Sequence, residues 1–306
     1  MAKRQTRWNR RLLGGKIRDT LHLFEPQHAD QLFFVRRHQP ERLTPLPQWR
    51  GTKILSLCKS PVVTLSEARG PDDIRLYAVG DIHGCLGLLD KLLMKIEEDL
   101  TRSKPTDWRV IFLGDYVDRG SASKGVIDRL IDLKAHESRY IMLAGNHDLE
   151  FLGFLIEPNI GGVFVNCGGD ATSRSYGVKL DPSKLRTQAD LAEIHDKLVE
   201  AVPSSHVEFL RSLQLSVSYG DFFFCHAGVD PDIPLKNQDP DDLVWMRLPF
   251  LESSTPLEKV VVHGHTICEK PEERINRIGI DTGAYRTGRL TALMIDGMDR
   301  MMMHTK

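Results

Sequence analysis

Aspartate, histidine and asparagine side chains recur along this chain in short segments that are rich in glycine. The six segments are Gly80–Gly84, Gly114–Gly120, Gly145–Asp148, Cys225–Gly228, His263–Thr266 and Asp281–Ala284. Carboxylate, imidazole and amide groups are ligands for divalent metal ions. Two cations held about 3.5–4 Å apart need a ligand that bridges them, and a carboxylate has the two oxygens and the charge for that role. The pattern therefore predicts a dinuclear metal site, with Asp115 as the candidate for the bridge.

Apolar runs that are typical of buried strands precede most of these segments. They cover residues 76–79, 110–113, 140–143, 222–224 and 260–262. In open α/β sheets, ligands gather at the carboxyl ends of the strands. We therefore expect the polar side chains to leave strand ends in tight turns and to meet in one place.

The segments between the first strands carry apolar residues at helical spacing. Leu89, Leu92 and Ile96 recur in the first of them, and Ile127 and Leu130 recur in the second. Strands that alternate with helices in this way predict a region of parallel sheet.

The remainder of the chain predicts further elements of both kinds. We expect helices over 183–201 and 207–210 and strands over 278–280 and 290–295. The glycine-rich stretch 158–180 is expected to form a long loop, and long loops in enzymes often face the substrate.

The order of the polar motifs resembles that of the calcineurin-like metallophosphoesterase superfamily. GDxHG, GDxxDRG, GNHD, an isolated histidine and a Gly-His pair follow one another between about Ile74 and the C-terminus. Within the superfamily the pattern is most similar to the phosphoprotein phosphatases, in their bacterial form. The resemblance implies an α/β sandwich of two mixed β-sheets flanked by helices, with a dinuclear metal site on the strand-end loops.

The metal ligands follow from the motifs that match. The resemblance implies that the first ion is completed by Asp81 and His83, which are two apart in what we expect to be an extended segment and so share one side. It implies that Asn146, His226 and His265 complete the second. Spacing alone does not decide between His263 and His265, and the resemblance favours His265. Two divalent ions are expected, Mn ahead of Fe or Zn, because this mixed set of donors suits them better than Ca.

Hydrolysis also needs groups that donate a proton and hold the phosphate. His147 follows Asn146 directly and so faces another side of the loop, and Asp118 could hold its imidazole and raise its pKa. The family pairs these two positions as a general acid and its support. Arg119 offers a planar fork for two phosphate oxygens. Arg247 matches a second, distant arginine of the family, or it is simply a surface residue.

The expected reaction is hydrolysis of a phosphomonoester by a metal-bound hydroxide, with His147 as general acid. The resemblance implies phosphoserine or phosphothreonine in proteins as the substrate, and a broad phosphomonoesterase stays open. One alternative is a symmetric diadenosine tetraphosphate hydrolase of the same superfamily, although those enzymes typically replace the residue that is Asp118 here. A non-catalytic scaffold is the other alternative, and it would be expected to have lost a ligand or the His–Asp pair.

Composition is that of an ordinary soluble protein. Charged residues make up 27% and hydrophobic residues 41% of the chain. A net charge of -1 argues against a nucleic-acid partner that is bound through overall charge. We see no apolar run near the roughly 20 residues that span a bilayer and no signal peptide. Five scattered cysteines are typical of reduced thiols, so we expect a cytoplasmic protein.

The first 70 residues differ from the rest, and we expect a basic N-terminal extension over 1–70 and the catalytic domain over 71–306. Eleven lysines and arginines stand against four acidic residues in the first fifty positions. Leu13, Ile17 and Leu21 lie near one face at helical spacing, which permits a basic amphipathic helix at a membrane surface or a partner. A loosely docked tail is the other interpretation.

Overall fold

The computed structural model describes residues 61–158, 162–185 and 187–306. Its first sheet has five strands in the order β10-β9-β1-β2-β3. These strands are β1 (Ile74–Val79), β2 (Asp107–Phe112), β3 (Tyr140–Met142), β9 (Thr291–Asp296) and β10 (Asp299–His304). The first three run parallel to one another, while β9 and β10 add an antiparallel edge.

The second sheet also has five strands, in the order β4-β5-β6-β8-β7. They are β4 (Ser216–Tyr219), β5 (Phe222–Cys225), β6 (Val260–His263), β7 (Glu272–Glu273) and β8 (Arg277–Gly279). The inner strands β5, β6 and β8 are parallel, and β4 and β7 pair antiparallel at the two edges. Both sheets are therefore mixed, as the motif order predicts.

The two sheets bury one common layer of apolar side chains. On β1, Leu76 and Ala78 belong to the same buried cluster as Phe222 and Phe224 of the second sheet. Tyr77, between them on β1, belongs to a different cluster that contains the helices. This alternation follows from the two-residue period of a strand, which turns successive side chains to opposite faces.

Nine α-helices lie in the described ranges. They are α1 (Leu86–Ser103), α2 (Ser123–His136), α3 (Asn146–Ile156), α4 (Gly162–Asn166), α5 (Gly169–Ser175), α6 (Gln188–Ala201), α7 (Ser204–Arg211), α8 (Pro240–Trp245) and α9 (Ala284–Thr287). In α1 the predicted stripe of Leu89, Leu92 and Ile96 is buried, so the helical spacing identified the packed face correctly. The helices and the two mixed sheets together form the predicted metallophosphoesterase-type α/β fold.

The prediction of a long loop over 158–180 is wrong, because α4 and α5 occupy most of that stretch. Gly168 has a φ of 113° and separates the two helices, a conformation that residues with a side chain rarely adopt. Short helices gain most of their stability from tertiary packing. Here Phe164 of α4 packs against Phe151 and Phe154 of α3, with ring centroids 5.1 and 4.8 Å away.

Residues 61–70, which the sequence assigns to the extension, pack on the sheets. Leu65 and Ala68 are buried in the layer between the sheets, and Val63 pairs with Leu257. The amide of Gly70 donates to the carbonyl of Gly297 at 2.8 Å. We therefore place the start of the catalytic domain before residue 63 rather than at 71. The predicted basic helix near residues 13–24 lies outside the described residues.

Candidate metal and phosphate site

Six loops that leave parallel strands bring the predicted polar side chains together. The loops follow β1, β2 and β3 of the first sheet and β5, β6 and β8 of the second. All of these loops except the one after β8 carry the predicted ligands, which are Asp81, His83, Asp115, Asn146, His226 and His265. The first five are at most 2% exposed, and His265 is partly buried. The sequence therefore identified the loops correctly from the strand ends.

The turns of these loops are unusually tight. His83, Asp115 and His265 have φ values of 45°, 54° and 61°, a left-handed backbone that is uncommon outside glycine. Such conformations cost free energy and cluster at functional sites. The backbone turns at His83, so the alternation of an extended strand does not by itself set the direction of its side chain relative to that of Asp81. Contacts with other loops orient these two side chains instead.

Close approach of the loops also requires glycine. A Cβ on Gly145 would lie 2.1 Å from Oδ1 of Asp115, and one on Gly264 would lie 2.0 Å from Oδ1 of Asp81. Any side chain at either position would displace a carboxylate from the centre of the site.

Asp115 lies at the centre. Its Oδ2 is 3.3 Å from Nε2 of His83, and its Oδ1 is 3.5 Å from Nε2 of His226. Nε2 of His226 is in turn 3.0 Å from Oδ1 of Asn146 and 3.2 Å from Nδ1 of His265. Two groups with metal-ligand spacing result, and Asp115 belongs to both. They are His83–Asp115–His147 and Asp115–His226–His265.

Backbone carbonyls fix the tautomers of two histidines. Nδ1 of His83 donates to the carbonyl of Val117 at 2.8 Å, and Nδ1 of His226 donates to the carbonyl of Leu113 at 3.0 Å. Burial lowers the pKa of His83 to about 3 and also lowers that of His226. Both rings are therefore neutral, with the Nε2 lone pair facing the carboxylate of Asp115. Lone pairs that converge on a carboxylate repel it unless a cation lies between them, so this donor set fits divalent metal ions.

A further carboxylate, Asp281, joins this group. It stands in one of the six polar segments but is not among the expected ligands, yet it is 2% exposed and interacts with the carboxyl group of Asp81. Burial and the neighbouring charges of Asp281 and Asp115 raise the pKa of Asp81 well above its ordinary value. The amide of His265 donates to both oxygens of Asp81, at 3.2 and 3.0 Å. Three buried acids this close strengthen the case for cations in the site.

Asp148, which sequence reasoning also left without a role, ties two of the loops together. Its carboxylate accepts from the amides of Asp115 at 2.8 Å, Tyr116 at 2.9 Å and Gly145 at 3.0 Å. Asp148 thus sets the position of the central carboxylate through its backbone.

His147 and Asp118 form the predicted pair. Nδ1 of His147 lies 2.6 Å from Oδ2 of Asp118, and both residues are buried. Burial alone would lower the pKa of His147, but the carboxylates of Asp115 and Asp118 outweigh it and raise the pKa. Since Asp118 holds Nδ1–H, the atom left to exchange a proton with a ligand is Nε2.

Two arginines lie at the cluster, each beside different histidines. Arg119 donates from Nη1 to His83 and from Nη2 to His147, both at 2.9 Å, and its guanidinium lies 4.9 Å from the ring centroid of Tyr285. Arg247 is exposed, donates to Oγ1 of Thr266 at 3.0 Å, and lowers the pKa of the nearby His265 through its charge, after the larger effect of burial. Both predicted phosphate-binding residues therefore border the cluster.

His263 and His265 are separated by the fold. His265 contacts His226, whereas His263 packs edge-on against Phe250 with ring centroids 5.3 Å apart. Nε2 of His263 is buried and has no hydrogen-bond partner among the described residues. The geometry favours His265 over His263 as a ligand.

Comparison with known proteins gives the class. Residues 74–280 match the family model of the calcineurin-like phosphoesterases, which is more than half of the 306 residues. The chain belongs to this family, and it is a metallophosphoesterase.

Individual relatives within the family are similar to this chain over most of its length. The bis(5'-nucleosyl)-tetraphosphatase PrpE [asymmetrical] of Anoxybacillus flavithermus is 28% identical over 241 residues, covering 72% of this chain and 90% of that protein. The protein of the same name from Bacillus thuringiensis is 28% identical over 239 residues, with the same coverage. A solved structure described as a candidate diadenosine tetraphosphatase is 20% identical with a TM-score of 0.52, covers 77% of this chain and 98% of its own, and supports the fold alone. These relatives support the superfamily, but they are not named as protein phosphatases.

Proposed function

We propose that this metallophosphoesterase hydrolyses a dinucleoside tetraphosphate and cleaves it asymmetrically. The observation that carries this substrate class is the pair of relatives named as asymmetrical tetraphosphatases, each aligned with 72% of the chain. The sequence alone ranked a nucleotide hydrolase second, behind a protein phosphatase, and expected it to be symmetric. Asymmetric cleavage would release a nucleoside monophosphate and a nucleoside triphosphate.

Two divalent ions would be held by the residues around Asp115. Asp81 and His83 would complete one site with the shared carboxylate, and Asn146, His226 and His265 would complete the other. Bound ions lower the pKa of water and offset the negative charge that builds up on a phosphoryl group. Mn is the first candidate, ahead of Fe or Zn, because the donors are amide oxygen, imidazole and carboxylate.

Arg119 and Arg247 would together hold the reacting phosphate. In the structure the guanidinium of Arg119 donates to His83 and His147. A phosphate group is the better acceptor because it is anionic and matches the planar fork. Binding of substrate would therefore draw Arg119 away from Nε2 of His147 and free that atom for proton transfer.

His147 would then give its proton to the departing oxygen. Asp118 accepts from Nδ1–H, orients the ring and stabilises the imidazolium cation, in which Nε2 also carries the proton that would be given up. A proton donor held this firmly helps most when the leaving group is basic, as an alcohol is. The buried contact between His147 and Asp118 therefore favours a second candidate, hydrolysis of phosphoserine or phosphothreonine esters. A nucleotide, by contrast, is an acidic leaving group that needs little help from a proton donor.

The test compares both substrates on one preparation. The Mn-loaded full chain is assayed with diadenosine tetraphosphate and with a phosphothreonine peptide, and the nucleotide products are separated by anion exchange. We expect AMP and ATP, and a kcat/KM at least about tenfold higher for the nucleotide, or roughly 1.4 kcal/mol in transition-state stabilisation. ADP as the sole product would refute asymmetric cleavage. A higher kcat/KM for the peptide would establish the second candidate instead.

A further inference from the structure

Asp118 is held by a hydroxyl group from the stretch that the sequence assigns to a loop. Thr172 lies on α5, is fully buried, and donates from Oγ1 to Oδ1 of Asp118 at 2.7 Å. Oγ1 of Thr172 also accepts from the backbone amide of Asp118, at 2.7 Å. One threonine thus binds both the carboxylate and the main chain of the residue that orients His147.

A second buried hydroxyl, that of Ser123, contacts Thr172. Oγ of Ser123, the first residue of α2, lies 2.9 Å from Oγ1 of Thr172. Because the Thr172 proton goes to Asp118, Ser123 is the donor in this contact. Each oxygen of the Asp118 carboxylate then accepts one of these hydrogen bonds, Oδ1 from Thr172 and Oδ2 from Nδ1 of His147. A single arrangement of protons satisfies the whole chain from Ser123 to His147.

The helix α5 is itself locked against its neighbours. The amide of Lys124 on α2 donates to Oγ of Ser175 at 3.1 Å. At the end of α5, the hydroxyl of Tyr176 lies 2.8 Å from Nδ1 of His206, and Nε2 of His206 lies 2.8 Å from Oδ1 of Asp128 on α2. The hydroxyl of Thr172 is therefore presented by a rigid support rather than by a mobile loop.

The turn at Asp118 and Arg119, which Thr172 contacts, is strained. Asp118 and Arg119 have φ values of 70° and 65°, two consecutive left-handed residues. The amide of Arg119 donates to the carbonyl of Gly168, just before α5, at 3.1 Å. A turn of this kind persists only where surrounding contacts hold it. Here they come from Gly168, from Thr172 and from Oγ of Ser123, which also accepts from the amide of Asp118 at 3.1 Å.

We propose that Thr172, backed by Ser123, is a positioning residue for proton donation: it holds the carboxylate of Asp118 where His147 presents Nε2 to the leaving oxygen. The inference rests on the proposed function through the role of His147. It predicts that loss of the hydroxyl slows the reaction in proportion to how basic the leaving group is. A threonine that only joined α5 to the loop would, when altered, slow all substrates alike.

The experiment uses the Mn-loaded full chain and two phosphomonoesters. Phenyl phosphate releases phenol, with a pKa of about 10 like that of tyrosine, and 4-nitrophenyl phosphate releases a much more acidic phenol. The variants are Thr172→Val, which keeps the shape but removes the hydroxyl, and Thr172→Ser, which restores it. Ser173→Ala is the matched control, because Ser173 is also buried on α5 but donates to Gly169 within the helix.

We expect Thr172→Val to lower kcat on phenyl phosphate by about tenfold or more and on 4-nitrophenyl phosphate by less than about threefold, with KM and Mn content unchanged. Thr172→Ser and Ser173→Ala should stay close to wild type on both. Equal losses on the two esters, no loss at all, or a serine variant as slow as the valine variant would each overturn the proposal. Should Thr172→Val not fold, Thr172→Ala removes the same hydroxyl and is judged by the same ratio.

The two proposals fail separately. If wild type leaves diadenosine tetraphosphate intact but the ester ratio changes as expected, the substrate proposal falls and the role of Thr172 stands. If wild type cleaves the dinucleotide and the variants treat both esters alike, only the role of Thr172 falls.

Discussion

The predicted metal ligands lie on loops that leave five of the parallel strands, whereas the carboxylate of Asp118 is held by a short helix, α5. On the metal side, residues from both sheets converge on Asp115. On the proton side, hydroxyls from α2 and α5 converge on Asp118. One site thus combines a metal side set by the sheets with a proton side set by helix packing. Substitutions on the metal side should remove bound metal and activity together. Substitutions on the proton side should lower activity and leave the metal content unchanged.

The largest expected effect is that of Asp115→Asn, which removes one oxygen charge from the centre of the metal side. We expect kcat/KM to fall on the order of 10³-fold or more on every phosphate substrate, together with a loss of bound Mn. Elemental analysis and steady-state kinetics measure the two. Asp132→Asn, at a half-exposed position on α2, is the control and should change neither. A variant that kept both metals and wild-type activity would show that Asp115 is not the carboxylate that the two ions share.

On the proton side, Asp118→Asn should lower kcat on phenyl phosphate by about 10²–10⁴-fold, because the imidazole of His147 loses its charged partner. Mn content should stay that of wild type, since Asp118 does not belong to either metal-ligand group. Hydrolysis of diadenosine tetraphosphate should fall less, as its leaving group is acidic. Loss of the metals, or equal losses on both substrates, would erase the difference between the two sides.

The smallest expected effect concerns Gly168, which packs against Arg119 just before α5. A Cβ on Gly168 would lie 2.7 Å from the amide nitrogen of Arg119 at a φ of 113°. We expect Gly168→Ala to lower the free energy of unfolding by about 2–3 kcal/mol, through both backbone strain and this clash. Gly177→Ala is the matched control: its φ is 81° but no atom lies within 4 Å, so only strain of about 1–2 kcal/mol applies. If denaturant unfolding showed the same loss of unfolding free energy for both variants, close packing of the Gly168 position against the Asp118–Arg119 turn would be refuted.

The metal side was the easier one to predict from sequence. Its predicted ligands stand in glycine-bounded motifs directly after apolar strands, so a local pattern points to both the residue and its place in the fold. Asp281 was missed because its motif is equally typical of an ordinary turn, and only the structure brings it to Asp81.

The proton side shows where sequence reasoning ends. The pairing of His147 with Asp118 came from the family resemblance, but Thr172 is 54 residues from Asp118 and carries no motif. Its stretch has the glycines of a loop, and α4 and α5 form there because Phe164 packs against α3. Helices that depend on such distant contacts leave little local pattern to identify them.

Metal reconstitution tests most directly whether a two-metal centre performs the hydrolysis. Wild-type protein is stripped with a chelator, checked by elemental analysis, and titrated with Mn while hydrolysis of diadenosine tetraphosphate and 4-nitrophenyl phosphate is followed. We predict that activity on both is absent from the stripped protein and returns in full at two ions per chain. Full activity in metal-free protein, or a maximum reached at a single ion per chain, would contradict the account.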